Sequence, residues 1–366
     1  MSSSVTSNGS RVISKDYTLV DQPLSSNQGE GNHMQVHVPI RINVTLEIMP
    51  ITTQNGLSKP TIHPPQEQVH ESLDGFEVED DVLERTINYS GREGYRPDFL
   101  DTDEQFHVPL PKLSAVLEKD AAIVSTPTNG SISHELKYMH FSVVMNRRRR
   151  MPFFTAVNID GRQLRRIPRS DKWFKDPRIN QQAQFGNELY ANNDLDRGHM
   201  VRRLDPVWGT VEEATIANDD TFHYTNSCPQ HKDLNQRTWN DLEDYILDNA
   251  DAHDFKVSVF TGPVFRADDI PYRSARIPRE FWKVAVLINN QTKKLSATAY
   301  LLSQADMINN LEFVYGAYRT YQISIAQVEA LTDLDFGDLR EFDPIGSGIN
   351  ESVDIRIVER PQNIIF

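Results

Sequence analysis

The sequence predicts an α+β protein carrying an N-terminal extension, and three observations carry that prediction. Residues 36–48 alternate strictly: Val36, Val38, Ile40, Ile42, Val44, Leu46 and Ile48 are apolar, with polar residues or proline between them. That period of two marks a strand with one buried face. Apolar and β-branched runs then recur at 137–146, 152–161, 257–265 and 280–289, each the length of a strand. Helical spacing appears between and after them without a regular βαβ rhythm, which favours α+β over a doubly wound sheet.

Taken in chain order, residues 1–33 are rich in Ser, Asn and Gly without periodicity, so a flexible tail is expected. Residues 34–89 are expected to hold one strand and an acidic linker. Pro39 lacks an amide donor, which suits an edge strand. Residues 52–70 contain Gly56, Pro60, Pro64 and Pro65 and read as a connector. The run "ESLDGFEVEDDVLE" (71–84) reads as a solvated, acidic one. From residue 90 to about 350 the texture is mixed. "KYMHFSVVMN" (137–146) and "PFFTAVNIDG" (152–161) flank "RRRR" (147–150) and predict a hairpin with a basic turn. In 234–250, Trp239, Leu242 and Ile246 fall at helical spacing, and 324–334 predicts another helix. Residues 351–366 are expected to be a tail.

Composition narrows the function. The 366 residues suffice for one large domain or two medium ones. A single cysteine, Cys228, excludes an internal disulfide and a multi-thiolate zinc site. No apolar stretch approaches the roughly 20 residues that span a bilayer, and the start has no secretory h-region, so a cytoplasmic protein is expected. The formal net charge is −14, but it is unevenly spread. Of 38 Lys+Arg and 52 Asp+Glu, residues 1–135 hold 9 and 20, a net of −11, leaving −3 for the rest. The acidity sits mainly in the first third, so local basic clusters further on remain open to a polyanion.

One such cluster is "NDLDRGHMVRR" (193–203). In an extended chain Arg197 and His199 share a face, and Gly198 between them leaves room for a ligand or another backbone. A neutral imidazole beside a guanidinium can take a proton from water while the arginine holds a phosphate oxygen. A surface histidine in an arginine-rich strand explains the same residues equally well. Further on, Asn235 stands at a helix entrance and Glu243 eight residues later. That is about 12 Å of helical rise, too far for both to ligate one ion directly. They could share a magnesium ion through water, since magnesium keeps several of its waters. A helix cap and a solvated carboxylate are the plain alternatives.

Together these stretches resemble the DNA/RNA non-specific endonucleases, a ββα-metal (His-Me finger) nuclease family. The matching pieces are "DRGH" (196–199), "TN..PQ" (225–230), "LNQ..W..LE" (234–243) and "TGPVF" (261–265), in that order. "FSVVMNRRRRMPFFTAVNIDG", "DPRI" and "FGDL" are similar to the bacterial branch. The resemblance covers about residues 90–345. It implies a mainly antiparallel central sheet flanked by helices. It also implies magnesium-dependent hydrolysis of DNA, and possibly RNA, to 5′-phosphate ends, with manganese able to substitute. By position, His199 matches the general base, Asn235 the direct magnesium ligand, Glu243 the carboxylate orienting metal-bound waters, and Arg197 the arginine of the motif. An upstream arginine that assists the transition state matches either Arg169 or Arg178. Some relatives carry an arginine where this chain has Leu247, so phosphate clamping falls to Arg197, Arg178, Arg202 or Arg203. Arg147 and Arg148 are candidates to touch nucleic acid, or a solvated hairpin turn.

Two functional classes stay open: an endonuclease of low sequence specificity, and a catalytically weak nucleic-acid-binding or assembly protein on the same scaffold. A non-specific nuclease needs restraint, and defence against foreign DNA or delivery as a toxin would both fit. The apolar face of residues 36–48 must pack on something: an extra strand folded onto the same subunit is one expectation, and a homo-oligomer or a regulatory protein partner through residues 34–52 is the other.

Overall fold

A computed structural model describes residues 3–5, 11–13, 87–125, 132–231, 255–304, 319–346 and 356–357, with only the backbone described for 3–5, 11–13, 319–320 and 356–357. The chain divides into two compact units, Met1–Leu83 and Glu84–Phe366. In the first, β1 (Ser3–Val5) pairs antiparallel with β2 (Arg11–Ile13), Ser4 opposite Val12. Within residues 1–33, expected to be a flexible tail, these two strands form a hairpin. The sequence between its strands holds Asn8-Gly9, a dipeptide suited to tight hairpin turns. The alternating stretch 36–48, the partner segment 34–52 and the acidic run 71–84 lie outside the described residues.

The second unit is built on one large antiparallel sheet. Its elements in order are β3 (Lys112–Leu113), α1 (Ala115–Glu118), β4 (Glu135–Lys137), β5 (Phe141–Asn146), β6 (Met151–Asp160), α2 (Asn187–Tyr190), β7 (Leu195–His199) and α3 (Val211–Asp220). They continue with β8 (Ser227–His231), β9 (Lys256–Val264), β10 (Ile270–Tyr272), β11 (Ala275–Ile277), β12 (Glu280–Ile288), β13 (Leu295–Ser303) and β14 (Arg319–Ile323). Last come α4 (Ile325–Thr332), β15 (Leu334–Asp335) and β16 (Arg356–Ile357). The main sheet runs β16-β14-β13-β12-β9-β6-β5-β4, each pairing antiparallel. This is the α+β class the sequence predicts.

Two further sequence expectations need correction. The single strand over 137–146 is two, β4 and β5, because the chain turns at His140, whose φ is +67°. Stacking on Trp208 at 3.5 Å and a 2.8 Å hydrogen bond to the Pro206 carbonyl hold His140 in that conformation. The C-terminal residues are more than a tail: Arg356–Ile357 adds an edge strand opposite Tyr321 and Gln322. The sheet also gains β13, whose small residues Ala297 and Ala299 show no clear alternation because both faces of the strand are covered.

The basic hairpin forms as predicted, with Arg147–Arg150 between β5 and β6. Asn146 builds the turn: its side-chain oxygen accepts from the backbone N–H groups of Arg148 and Arg149, and its carbonyl from that of Arg150. The predicted helix 324–334 appears as α4, closed at its N-terminus by a Ser324–Gln327 capping box.

All ten residues of β6 are buried, since both faces of the sheet are covered. One face packs Phe154, Phe260, Trp282 and Val284 against Tyr95, Phe99, α4 and Phe336. The other carries Val157, Val259, Phe281 and Tyr300, covered by residues 179–201 and 224–228. The two-stranded ribbon β7–β8 belongs to this second layer: Met200, Val201 and Cys228 bury onto the sheet, leaving His199 only half-covered. Burial of a few apolar neighbours thus fixes where the DRGH strand lies.

Candidate active site

β7 is the DRGH strand. It pairs with β8 so that Arg197 faces Pro229, Gly198 faces Cys228 and His199 faces Ser227. Asn226 locks the end of this ribbon. Its side chain accepts from the Val201 N–H at 2.8 Å and donates to the carbonyls of Val201 and Thr221, while its own carbonyl accepts from Met200. Through these bonds Asn226 holds the backbone immediately after His199.

The sequence expects Gly198 to admit a close neighbour, and the structure shows which one. A Cβ at Gly198 would stand 2.1 Å from Gln230 Oε1 and 2.6 Å from its Cγ. Gln230 is fully buried, and both its Oε1 and Nε2 lack hydrogen-bond partners among the described residues. So does His199 Nε2. Unpaired buried polar atoms cost about 1–3 kcal/mol each, and such costs concentrate where a ligand supplies the missing partner.

Arg197 and His199 do share a face, and one ring touches both. The Trp173 indole lies 4.9 Å from the His199 imidazole and 5.8 Å from the Arg197 guanidinium. Arg197 also lies over Tyr190 and donates to Asn187 Oδ1 at 2.6 Å. Phe222 closes the other side of His199 at 5.2 Å, edge to face. Burial pushes the His199 imidazole down to about pKa 3, and the positive charges of Arg169 and Arg203 add to the effect. The ring is therefore neutral at pH 7.

The two upstream arginines separate. Arg169 lies over the same Phe222 ring, 5.3 Å from its centre, and its charge reaches His199. It is half exposed and pairs with Asp171. Arg178 is engaged elsewhere. It forms an ion pair with the buried Asp176 at 2.7 Å, donates to the Lys137 carbonyl, and stacks on Tyr89 at 3.7 Å and Tyr138 at 4.7 Å. Burial opposes ionisation of Asp176, yet the bonds and charge of Arg178 hold its carboxyl below the usual range. Arg203 donates to the Ile167 carbonyl and to Asn218. Its guanidinium is pushed below its ordinary pKa by burial and by the charges of Arg169 and Arg202. Arg169, Arg202 and Arg203 thus make a cationic patch beside a neutral histidine.

Of the hairpin arginines, Arg147 and Arg148 are on the exposed side, with Arg148 bound to Asp120. Arg149 and Arg150 turn inward, pairing with Asp269 and Glu188 and stacking on Phe265 and Phe185. Asn235, Glu243, Leu247 and the predicted helix 234–250 lie outside the described residues. Among the described residues no group of three His, Cys, Asp or Glu is placed to hold a metal ion. The unspent atoms of His199 and Gln230 suit the waters of a hydrated ion, whereas the charges nearest His199 are cationic.

The sequence does not single out Trp173, Phe222, Asn226 or Gln230 for a role at the site. The last two stand within the quoted "TN..PQ" motif; Trp173 and Phe222 reach His199 through tertiary contacts that no local pattern announces.

Comparison with known proteins places the chain in a family. The sequence model of the DNA/RNA non-specific endonuclease family matches residues 118–341, and the chain belongs to that family. It is 40% identical over 269 residues to the uncharacterized protein y4fB of Sinorhizobium fredii, covering 68% of this chain and 40% of that protein. It is 29% identical to a protein named Nuclease from Nostoc sp., covering 40% of this chain and 52% of that one. The protein named Nuclease from Serratia marcescens is 28% identical over 200 residues, covering 50% of this chain and 70% of the relative. The chain thus spans about half the length of the first two of these relatives. A solved structure of an EndoG/EndoGI complex aligns at 20% identity with a TM-score of 0.46, covering 57% of this chain and 87% of that one.

Proposed function

We propose that this protein is a metal-dependent endonuclease of low sequence specificity that hydrolyses phosphodiester bonds of DNA, and of RNA where it is presented, to 5′-phosphate ends. The observation that carries this reading is the half-buried, neutral His199, its Nε2 unpartnered among the described residues, set beside Arg169, Arg197 and Arg203. His199 acts as general base: its neutral imidazole takes a proton from the attacking water. The imidazole is a weak base while the arginine charges face it unopposed. A phosphodiester seated among them offsets those charges and raises the basicity of the ring as substrate binds.

Arg169 takes the upstream role at the transition state, supported by its place against Phe222, and Arg178 serves instead as the partner of buried Asp176. Arg197, Arg202 and Arg203 hold phosphate oxygens. Asn235 and Glu243 are the residues we assign to the metal, the first directly and the second through water. Magnesium, or manganese in its place, supplies neutralisation of charge on the scissile phosphate and leaving oxygen when bound. Contacts confined to phosphate carry no sequence information, so weak sequence preference follows. Restraint by a partner or by self-assembly through residues 34–52, and a role in defence or as a toxin, are part of the same proposal. Plasmid nicking tests the core of it. His199→Ala should lower the rate by about 10²–10⁴-fold, the usual loss of a general base, with DNA binding kept and EDTA abolishing wild-type activity. Nicking by that variant at the wild-type rate would remove His199 from the mechanism.

A further inference from the structure

A histidine acting as a base is ordinarily oriented by a hydrogen-bonded third group. Among the described residues none bonds His199 Nε2. Aromatic rings surround it instead. Trp173, Phe222 and His199 form a closed triangle, with Trp173 5.4 Å from Phe222 at 77° and the imidazole touching both. Trp173 also meets Tyr224 at 5.6 Å. Among the described residues, Trp173 contacts both His199 and Arg197.

The backbone on either side makes Trp173 a rigid wall. Phe174 N–H donates to the Phe222 carbonyl at 3.0 Å, and the Phe174 carbonyl accepts from Tyr224 N–H at 2.8 Å. Trp173 is thereby stitched to the segment that supplies the other two rings. Asp171, with φ of +54°, reverses the chain between Arg169 and Trp173, and aspartate tolerates that left-handed conformation better than most residues. The turn lets Arg169 reach Phe222 and Trp173 reach His199 from a separation of only four residues.

We propose that Trp173 is the positioning residue of this site: its indole, wedged between β7 and the 222–224 segment, holds the His199 imidazole and the Arg197 guanidinium in one fixed orientation. The indole touches one tilted imidazole and one cation, so a single ring couples the proton-accepting group to the phosphate-holding one. This rests on the reading of His199 as the base, and its consequence is specific. Loss of the indole loosens the geometry of the chemical step without removing any group that binds substrate or takes a proton.

The test compares Trp173→Ala and Trp173→Phe with wild type in two measurements. In protein carrying 13C-labelled histidine, with the His199 signal assigned from His199→Gln, Trp173→Ala should move the His199 ring resonances as the indole ring current is lost. The charged groups facing the ring, Arg169 and Arg203, with Arg197 on its own strand, are the same in each variant. The titration midpoint of His199 should therefore rise toward an ordinary histidine as water enters. In plasmid cleavage, Trp173→Ala should lose up to about 10²-fold in kcat, the scale of an ångström-sized misplacement, with KM little changed. Trp173→Phe, which keeps an aromatic face, should recover most of it. Should Trp173→Ala fail to fold, Trp173→Leu, apolar but without an aromatic face, takes its place. Unmoved His199 resonances overturn the proposal, as does a loss of rate that appears in KM alone or that Phe does not restore. If wild-type protein cleaves nothing, the functional reading fails, and the resonance measurement alone decides the positioning role.

Discussion

Replacing Gly198 with alanine probes the closest approach in the site. The added Cβ would meet Gln230 Oε1 at 2.1 Å, Cδ at 2.2 Å and Cγ at 2.6 Å, all well inside van der Waals contact. Rotating the terminal amide cannot relieve a clash that reaches Cγ, so the whole side chain must leave its rotamer. Gln230 is fully buried, with the β7–β8 pairing fixing the backbone on both sides of the contact. Overpacking of this kind costs about 1–3 kcal/mol. In a domain of this size each kcal/mol lowers Tm by about 2–4 °C. Truncating Gln230 removes all three clashing atoms, so Gly198→Ala should be close to neutral in a Gln230→Ala background. The assay is a double-mutant cycle by thermal and denaturant unfolding, with an expected coupling of about 1–3 kcal/mol between the two sites. Strictly additive effects, or a Gly198→Ala protein melting with wild type, would refute the reasoning that Gly198 is required by the approach of Gln230.

Asn235→Ala should shift the magnesium dependence of cleavage, with activity partly recovered at raised metal concentration; a metal titration overlaying that of wild type would show Asn235 to be only a helix cap. His199 has its pKa lowered to about 3 by burial and by Arg169 and Arg203, so the unfolded chain binds its proton more readily than the folded one. Stability linked to His199 is fully present above about pH 6.5 and declines as pH falls toward 3. His199→Gln should therefore flatten the slope of unfolding free energy against pH in that window, measured by urea titration. Arg92 pairs with buried Asp220 at 2.9 Å, their side chains 10% and 2% exposed. Arg92→Ala strands that carboxylate and should cost about 3–5 kcal/mol in denaturant unfolding, while kcat of the folded fraction stays unchanged.

The strands over 152–161, 257–265 and 280–289, the basic hairpin and the helix at 324–334 were legible because runs of apolar β-branched residues, turn residues and caps act over a few residues. β13 escaped because a central strand covered on both faces has no polar–apolar alternation to read. The break at His140 escaped because a stack on Trp208, 68 residues away, stabilises it.

The sequence by itself determined the family and put forward the residues of the candidate site. Its order of short motifs is specific enough to imply the family, and Arg197 and His199 at period two on a strand must share a face. Tertiary structure decided which groups surround that face. Arg169 rather than Arg178 stands beside His199, because Arg178 is committed to Asp176 and two tyrosine rings. Gln230 fills the space above Gly198, and Trp173 lies against both His199 and Arg197. Each of these depends on which distant segments pack on one face of the sheet. Packing is set by the summed burial of many residues, so no local pattern contains it.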